Sequence, residues 1–243
     1  MTVARSLLLG LGLWSLLCAP SVAMQVRETP RAVVELFTSQ GCASCPPADK
    51  LLTELAAHED IVALAFHVDY WDYIGWPDTF GTEANSDRQR DYAAGRGSSR
   101  IYTPQIVVNG TTDVVGSRAG EVHSALEAAR LELPVHLSLE NDMLAISIPG
   151  QAGLEKAMIW LVTYIDQAKV AIERGENAGK SMLYSQIVTG VHPMGTWEPG
   201  AGAMIRMPIG EMLAGDTNGL AVLVQQDHEG MPGRILGAGL FHP

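Results

Sequence analysis

At 243 residues the chain has length for one large domain or two small ones, each with a core of its own. A formal charge of -11, from 16 Lys and Arg against 27 Asp and Glu with no basic cluster, excludes nucleic acid and anionic membrane as expected partners. Three cysteines are too few for a small scaffold knitted by disulfides.

The chain starts Met1-Thr2-Val3-Ala4-Arg5, continues in a short apolar run to Leu17 and reaches Ser21-Val22-Ala23. This order reads as a secretory signal over residues 1–23, cut after Ala23. The run is shorter than the roughly 20 residues that a membrane span needs, so the mature chain is expected to be exported and not membrane-spanning. Cleavage removes Arg5, taking the charge from -11 to -12, and removes Cys18, leaving Cys42 and Cys45. Two cysteines three positions apart close too small a loop to staple a fold, and in an oxidising compartment they read as a switchable pair.

After a loose leader, Ala32-Val33-Val34-Glu35-Leu36-Phe37 reads as a buried strand carrying one carboxylate. Gly41-Cys42-Ala43-Ser44-Cys45-Pro46-Pro47 follows, and then a helix with Leu51, Leu52, Leu55 and Ala56 on one face. Pro46 and Pro47 fit only the first helical turn, so the helix dipole points at the sulfurs and favours a thiolate. Residues 61–68 form a second strand, parallel to the first. It ends in Asp69-Tyr70-Trp71-Asp72-Tyr73-Ile74-Gly75-Trp76, expected either to fold over its own aromatics or to wall a groove beside the cysteines. Residues 79–95 are helix-compatible, with Arg88, Arg90 and Asp91 on a solvated face. Pro104 opens a strand, Asn109-Gly110 predicts a hairpin, and Ser117 is expected to cap a last helix.

The order strand, C-x-x-C, helix, strand, helix, Thr-Pro, strand, Asn-Gly, strand, helix resembles the thioredoxin superfamily over about residues 31–131. Glu35-Leu36-Phe37-Thr38-Ser39-Gln40-Gly41-Cys42, Cys45-Pro46-Pro47-Ala48-Asp49 and His67-Val68-Asp69-Tyr70-Trp71-Asp72 are similar to a family of secreted bacterial thioredoxin-like proteins catalogued only as a domain of unknown function. The resemblance implies that Cys42 is an exposed attacking thiolate and Cys45 the resolving thiol. It further implies that Pro104 is a cis-proline against the pair and that Thr103 offers backbone groups to an extended substrate. Tyr102, Trp71 and Tyr70 are also expected to bind substrate. Glu35 would be the buried acid that shuttles the Cys45 proton, although it sits one residue further from the first cysteine than in relatives. Ala43-Ser44 differs from the intervening pairs of well-studied relatives, and no Trp precedes Cys42, so the direction of redox chemistry stays open.

After Leu133-Pro134 the pattern becomes strands alone: a hairpin at 135–148, then 157–165, 168–172, 182–189, 203–209, 219–226 and 234–240. The expected architecture is an α/β thioredoxin-like domain at 24–132 followed by an all-β sandwich-like domain at 133–243. Residues 173–180 read as a long turn. Eight of the ten methionines lie in this half. His192, Met194, Met204, Met207, His228 and Met231 raise a copper reading, against which methionine is an ordinary core filler. A zinc reading from Cys42, Cys45, His67 and Asp69 leaves Pro104 and the helix without a role.

The expected function is thus an exported thiol–disulfide oxidoreductase, periplasmic or secreted. It would need no metal or cofactor beyond the Cys42–Cys45 pair, and would act on a protein thiol or disulfide with a separate redox partner to reset it. The competing expectation is a binding or scaffold protein that keeps the fold and a structural disulfide.

Overall fold

The protein is described here by a computed structural model covering residues 25–27, 29–210 and 212–242. The expected signal at 1–23 lies outside the described residues. A short strand β1 (Gln25–Arg27) precedes β2 (Ala32–Thr38), helix α1 (Pro46–Ala56) and β3 (Ile61–His67). Every residue of β2 and β3 is buried, which is why both read as continuous apolar runs. They pair in parallel, from Ala32 against Ile61 to Thr38 against His67.

A single-turn 3-10 helix (Asp72–Ile74) and α2 (Glu83–Gly95) lead to β4 (Gln105–Val108), which runs antiparallel to β2. Strand β5 (Thr112–Val115) returns beside it through the three-residue loop 109–111, in which Asn109 and Gly110 are left-handed at φ 48° and 72°. Helix α3 (Ala119–Ala128) follows. Its N-cap is Arg118, without a side-chain cap, rather than the expected Ser117.

No helix follows α3 among the described residues. The strands are β6 (Leu133–Pro134), β7 (His136–Glu140), β8 (Met143–Ile148), β9 (Ala157–Ala171), β10 (Ser181–Trp197), β11 (Ala203–Pro208), β12 (Gly219–His228) and β13 (Met231–His242). The two strands expected at 157–172 are one. Its polar Asp166 is half-exposed and accepts from the side-chain amide of Gln186 (2.6 Å), and the irregularity falls on the partner strand, where Gln186 has φ 55°.

The second half does not stand apart as a sandwich. One sheet runs β1-β13-β12-β9-β10-β3-β2-β4-β5, with β6 against β13. Strand β10 is antiparallel to β9 and parallel to β3, where Ile187 faces Ala65. A smaller sheet, β11-β8-β7, packs on this one through Leu144, Ile146, Ile159, Trp197, Val222 and Phe241. The two halves therefore share a sheet across the expected 132/133 boundary.

The faces of β2 divide by the two-residue period of a strand. Val34 and Leu36 pack with Leu52 and Leu55 of α1 and Val122 and Leu126 of α3. Val33 and Phe37 point the other way, into a core with Tyr92 of α2 and with Val162, Leu223 and Ile235 of the second half. Residues from both halves share that core because the sheet curls, bringing the Ile235 N–H to the Asn109 carbonyl (3.0 Å). No helix among the described residues is long and apolar enough to cross a membrane.

At the closure of the curl, a Cβ on Gly110 would run into the carbonyl oxygen of Gly233, and φ there is left-handed. Gly110→Ala is expected to lose about 2 kcal/mol or more of stability in urea unfolding. A loss below about 0.5 kcal/mol, the level of an ordinary surface substitution, would show that this contact does not hold the curl.

Candidate redox site

The turn after β2 is pinned before it reaches the cysteines. The Cys42 N–H donates to the Ser39 carbonyl (3.1 Å) and the Cys45 N–H to the Cys42 carbonyl (3.2 Å). Cys42 and Cys45 are disulfide-bonded, with Cα atoms 5.4 Å apart. Cys45 is the N-cap of α1, and the prolines fill its first two positions. They remove two N–H donors but leave the dipole aimed at the sulfurs. The Ser44 hydroxyl lies 3.4 Å from Cys42 Sγ and 3.5 Å from the Thr103 carbonyl. The Thr103–Pro104 peptide is cis, as the resemblance implied.

The aromatic loop walls this end of the molecule. Trp71 Nε1 donates to Thr103 Oγ1 (2.7 Å), and Tyr73, 81% exposed, stacks on Trp71 with ring centres 6.5 Å apart. Gly41 sits directly against Trp71 Cβ and Ile74, where a larger residue would press on both. Tyr70 and Tyr102 are tied up otherwise. Tyr70 donates to Gln89 Oε1 (3.0 Å), Gln89 Nε2 donates to the Tyr102 carbonyl (2.8 Å), and the Tyr102 hydroxyl donates to Asp113 (3.0 Å). The structure thus gathers Cys42, Cys45, Thr103, Pro104 and Trp71, while Tyr70 and Tyr102 hold the segment that carries Thr103.

Glu35 is fully buried but on the wrong face for a proton shuttle. It shares the face of Val33 and Phe37, opposite α1. There it takes the Arg88 guanidinium (Nη2 at 2.7 Å) and the Tyr92 hydroxyl. Arg88 also donates to Gln225 (2.9 Å), whose amide donates to Tyr92 (2.7 Å). Arg88, expected on a solvated face, is consequently turned inward, its side chain 12% exposed. A buried carboxylate keeps its charge only with such partners.

The buried acid on the cysteine side is Asp49, one helical turn after Cys45 and therefore on the same face of α1. Thr38 donates to its Oδ1 (2.7 Å), and its Oδ2 is buried without a partner. Burial pushes the Asp49 carboxyl up from 3.8 to about 7, reinforced by Asp78 and opposed by attraction to His67 and the Thr38 hydrogen bond. His67 and Asp78 form a second buried pair (2.8 Å). Burial raises Asp78, but His67 and the N–H groups of Gln40 and Phe80 outweigh it and hold it low.

The second half supplies a lid. Asn177, in the turn between β9 and β10, is fully buried and its Nδ2 donates to the carbonyls of Gln40 (2.9 Å) and Cys42 (3.0 Å). Lys180 Nζ donates to Asn177 Oδ1 (2.8 Å), and the Ala43 N–H donates to Glu176 Oε2 (3.3 Å). Cys42, expected to be exposed, is in consequence only 2% exposed. Asp49 lies at the end of the Cys45-Pro46-Pro47-Ala48-Asp49 stretch and Asn177 in the segment expected to be a long turn, but nothing in their spacing announces these contacts.

The residues of the zinc reading are committed to other partners, His67 to Asp78 among them. Asp69 Oδ1 accepts from Ser86 (2.6 Å), and the sulfurs are bonded to each other. Met194 and Met207 pack on the second core, while His228 and Met231 face each other at the β12–β13 turn. Among the described residues no three His, Cys, Asp or Glu side chains group as a metal site.

The model of one family, described as a protein of unknown function (DUF1223), matches residues 33–225. The chain belongs to the DUF1223 family. The match includes Cys42, Cys45, Asp49 and Asn177, and so both sides of the site. A crystal structure of an Agrobacterium tumefaciens protein from a structural genomics consortium is 33% identical, with a TM-score of 0.79 over 88% of this chain and 95% of that one. The structure titled HBP35 of Porphyromonas gingivalis shares the fold at 11% identity, with a TM-score of 0.53 over 88% of this chain and 75% of that one. No curated protein matches the chain.

The raised Asp49 makes a signed prediction for this DUF1223 member. The folded protein keeps a proton that the unfolded chain gives up above 3.8, so the stability from this group is full below 3.8 and declines as pH rises to about 7. Asp49→Asn keeps an oxygen for Thr38 and cannot ionise. Relative to wild type, the variant is expected to gain stability between about pH 4 and pH 8, by up to roughly 4 kcal/mol in urea unfolding. A difference that does not change with pH would mean that Asp49 ionises at its ordinary value.

Proposed function

We propose that this protein is an exported thiol–disulfide oxidoreductase of thioredoxin type, acting on protein thiols or disulfides. The observation that carries the reading is the Cys42–Cys45 disulfide at the N-terminus of α1, beside Thr103–Pro104, with a buried carboxyl one turn along the helix. In the oxidising direction a substrate thiolate attacks Cys42 Sγ, the Cys42–Cys45 bond breaks, and Cys45 leaves as a thiolate. Protonated Asp49 supplies a proton to Cys45. A second substrate thiolate then attacks the substrate sulfur of the mixed disulfide and releases Cys42, so that two substrate thiols become a disulfide and the protein holds two thiols. In the reverse direction the Asp49 carboxylate takes the Cys45 proton and makes it the resolving nucleophile. A carboxyl near 7 serves both directions close to neutral pH. A separate periplasmic or extracellular redox protein resets the pair.

The 2% exposure of Cys42 favours a second reading, in which the disulfide is a structural clip in a binding protein. Trapping separates the two. In cells Cys45→Ser is expected to accumulate mixed disulfides through Cys42, visible as reducible high-mass bands, and Cys42→Ser to accumulate none. If neither variant traps a partner, the exchange reading fails.

A further inference from the structure

Resting on the exchange reading, the structure bears on which thiols gain access to the disulfide. The distal part of the β9–β10 hairpin lies along α1. Ser185 meets Thr53 through their hydroxyls (3.0 Å), and Tyr184 is buried with its ring edge-on to His67, centres 4.9 Å apart. Tyr184 thus anchors the base of the arm, and the turn at 172–180 projects beyond it over the cysteines. This turn is closed on itself: Gly179 N–H donates to the Ile172 carbonyl (2.8 Å) and Ile172 N–H to the Lys180 carbonyl (2.9 Å). Gly175 and Gly179, at φ 78° and 80°, set its shape, and Gly175 rests against Trp76.

Asn177 makes two of the three hydrogen bonds that hold the turn to the cysteine loop, the third being from the Ala43 N–H to Glu176 (3.3 Å). The two N–H groups of the Asn177 amide satisfy the carbonyls of Gln40 and Cys42, and its oxygen takes Lys180. Residues Ala43 and Ser44 remain exposed around Cys42, whose sulfur lies beneath. A small thiolate needs only a narrow approach to Cys42 Sγ, whereas a folded protein must bring its backbone over the ground the turn occupies.

We propose that Asn177 is the specificity-determining residue of this site. It keeps the turn closed so that small thiols reach Cys42 and protein thiols reach it only when the turn lifts. A partner that opens it must replace the donor lost at the Gln40 carbonyl and the second donor at the Cys42 carbonyl, which keeps the Cys45 N–H, and the N–H groups of an extended peptide can do both. Substrates are then proteins that present a cysteine in an extended segment, and a globular thiol protein without one is excluded.

The test compares two reductants on the oxidised full chain: dithiothreitol and reduced thioredoxin. With either, a thiolate attacks Cys42 Sγ, Cys45 leaves and takes up a proton, and the reductant's second thiol displaces Cys42. The protein ends as a dithiol and the reductant as a disulfide. Asn177→Asp keeps the shape but loses both donors, and Asn177→Ala removes the amide. Each is expected to raise the rate with thioredoxin at least tenfold and the rate with dithiothreitol less than threefold. Lys180→Ala, which loosens the amide without stripping the carbonyls, is expected to give an intermediate gain and keeps the test open if the Asn177 variants fold poorly. Equal acceleration with both reductants, which general loosening would give, overturns the proposal, as does no acceleration with either. With each reductant in large excess, reduction is measurable even for a pair somewhat below thioredoxin's potential of about -270 mV, so the gate and the exchange reading fail separately.

Discussion

Strand β10 is hydrogen-bonded on both sides, to β9 along its length and to β3 where Ile187 meets Ala65. That junction fuses the strands of the second half to the parallel pair that launches the cysteine turn. Because β10 lies in this fixed register, Ser185 and Tyr184 fall on α1 and His67, and the turn beyond them falls on Cys42. The second half is therefore part of the disulfide's surroundings rather than an appended module.

The same sheet sorts the buried charges by face. Glu35 and Asp49 are both inaccessible, yet their environments are opposite. Glu35 is matched by Arg88, Tyr92 and Gln225, a network whose disruption leaves a buried ion unpaired at a cost of about 3–5 kcal/mol. Asp49 has a single hydroxyl donor and a free oxygen, so burial dominates and the proton is retained to near neutrality. The first arrangement joins the halves, and the second leaves a group able to exchange a proton one helical turn from Cys45.

Much of the first half was legible because its signals are local. Buried apolar runs gave β2 and β3, the prolines placed the start of α1, and Asn109-Gly110 marked its hairpin. The strands of the second half were legible as elements, but not the sheet they join, since a register such as Ile187 against Ala65 leaves no mark in either segment alone. The site was read in part for the same reason. Cys42, Cys45, Pro104 and Trp71 follow from motif and neighbourhood, whereas Glu35 was placed by analogy of strand position. The parity of a strand then decides its face, and Glu35 shares that of Val33 and Phe37. Asn177 lies 135 residues from Cys42, and its role exists only through the three-dimensional path of β10.

The measurement that bears most directly on the exchange reading is the reduction potential of the Cys42–Cys45 pair, by equilibration in glutathione buffers followed by thiol labelling. Exchange chemistry predicts a potential above about -250 mV, within reach of physiological thiol couples. A potential below about -300 mV, typical of structural disulfides, would contradict it and make the pair a clip that fastens the turn beneath Asn177.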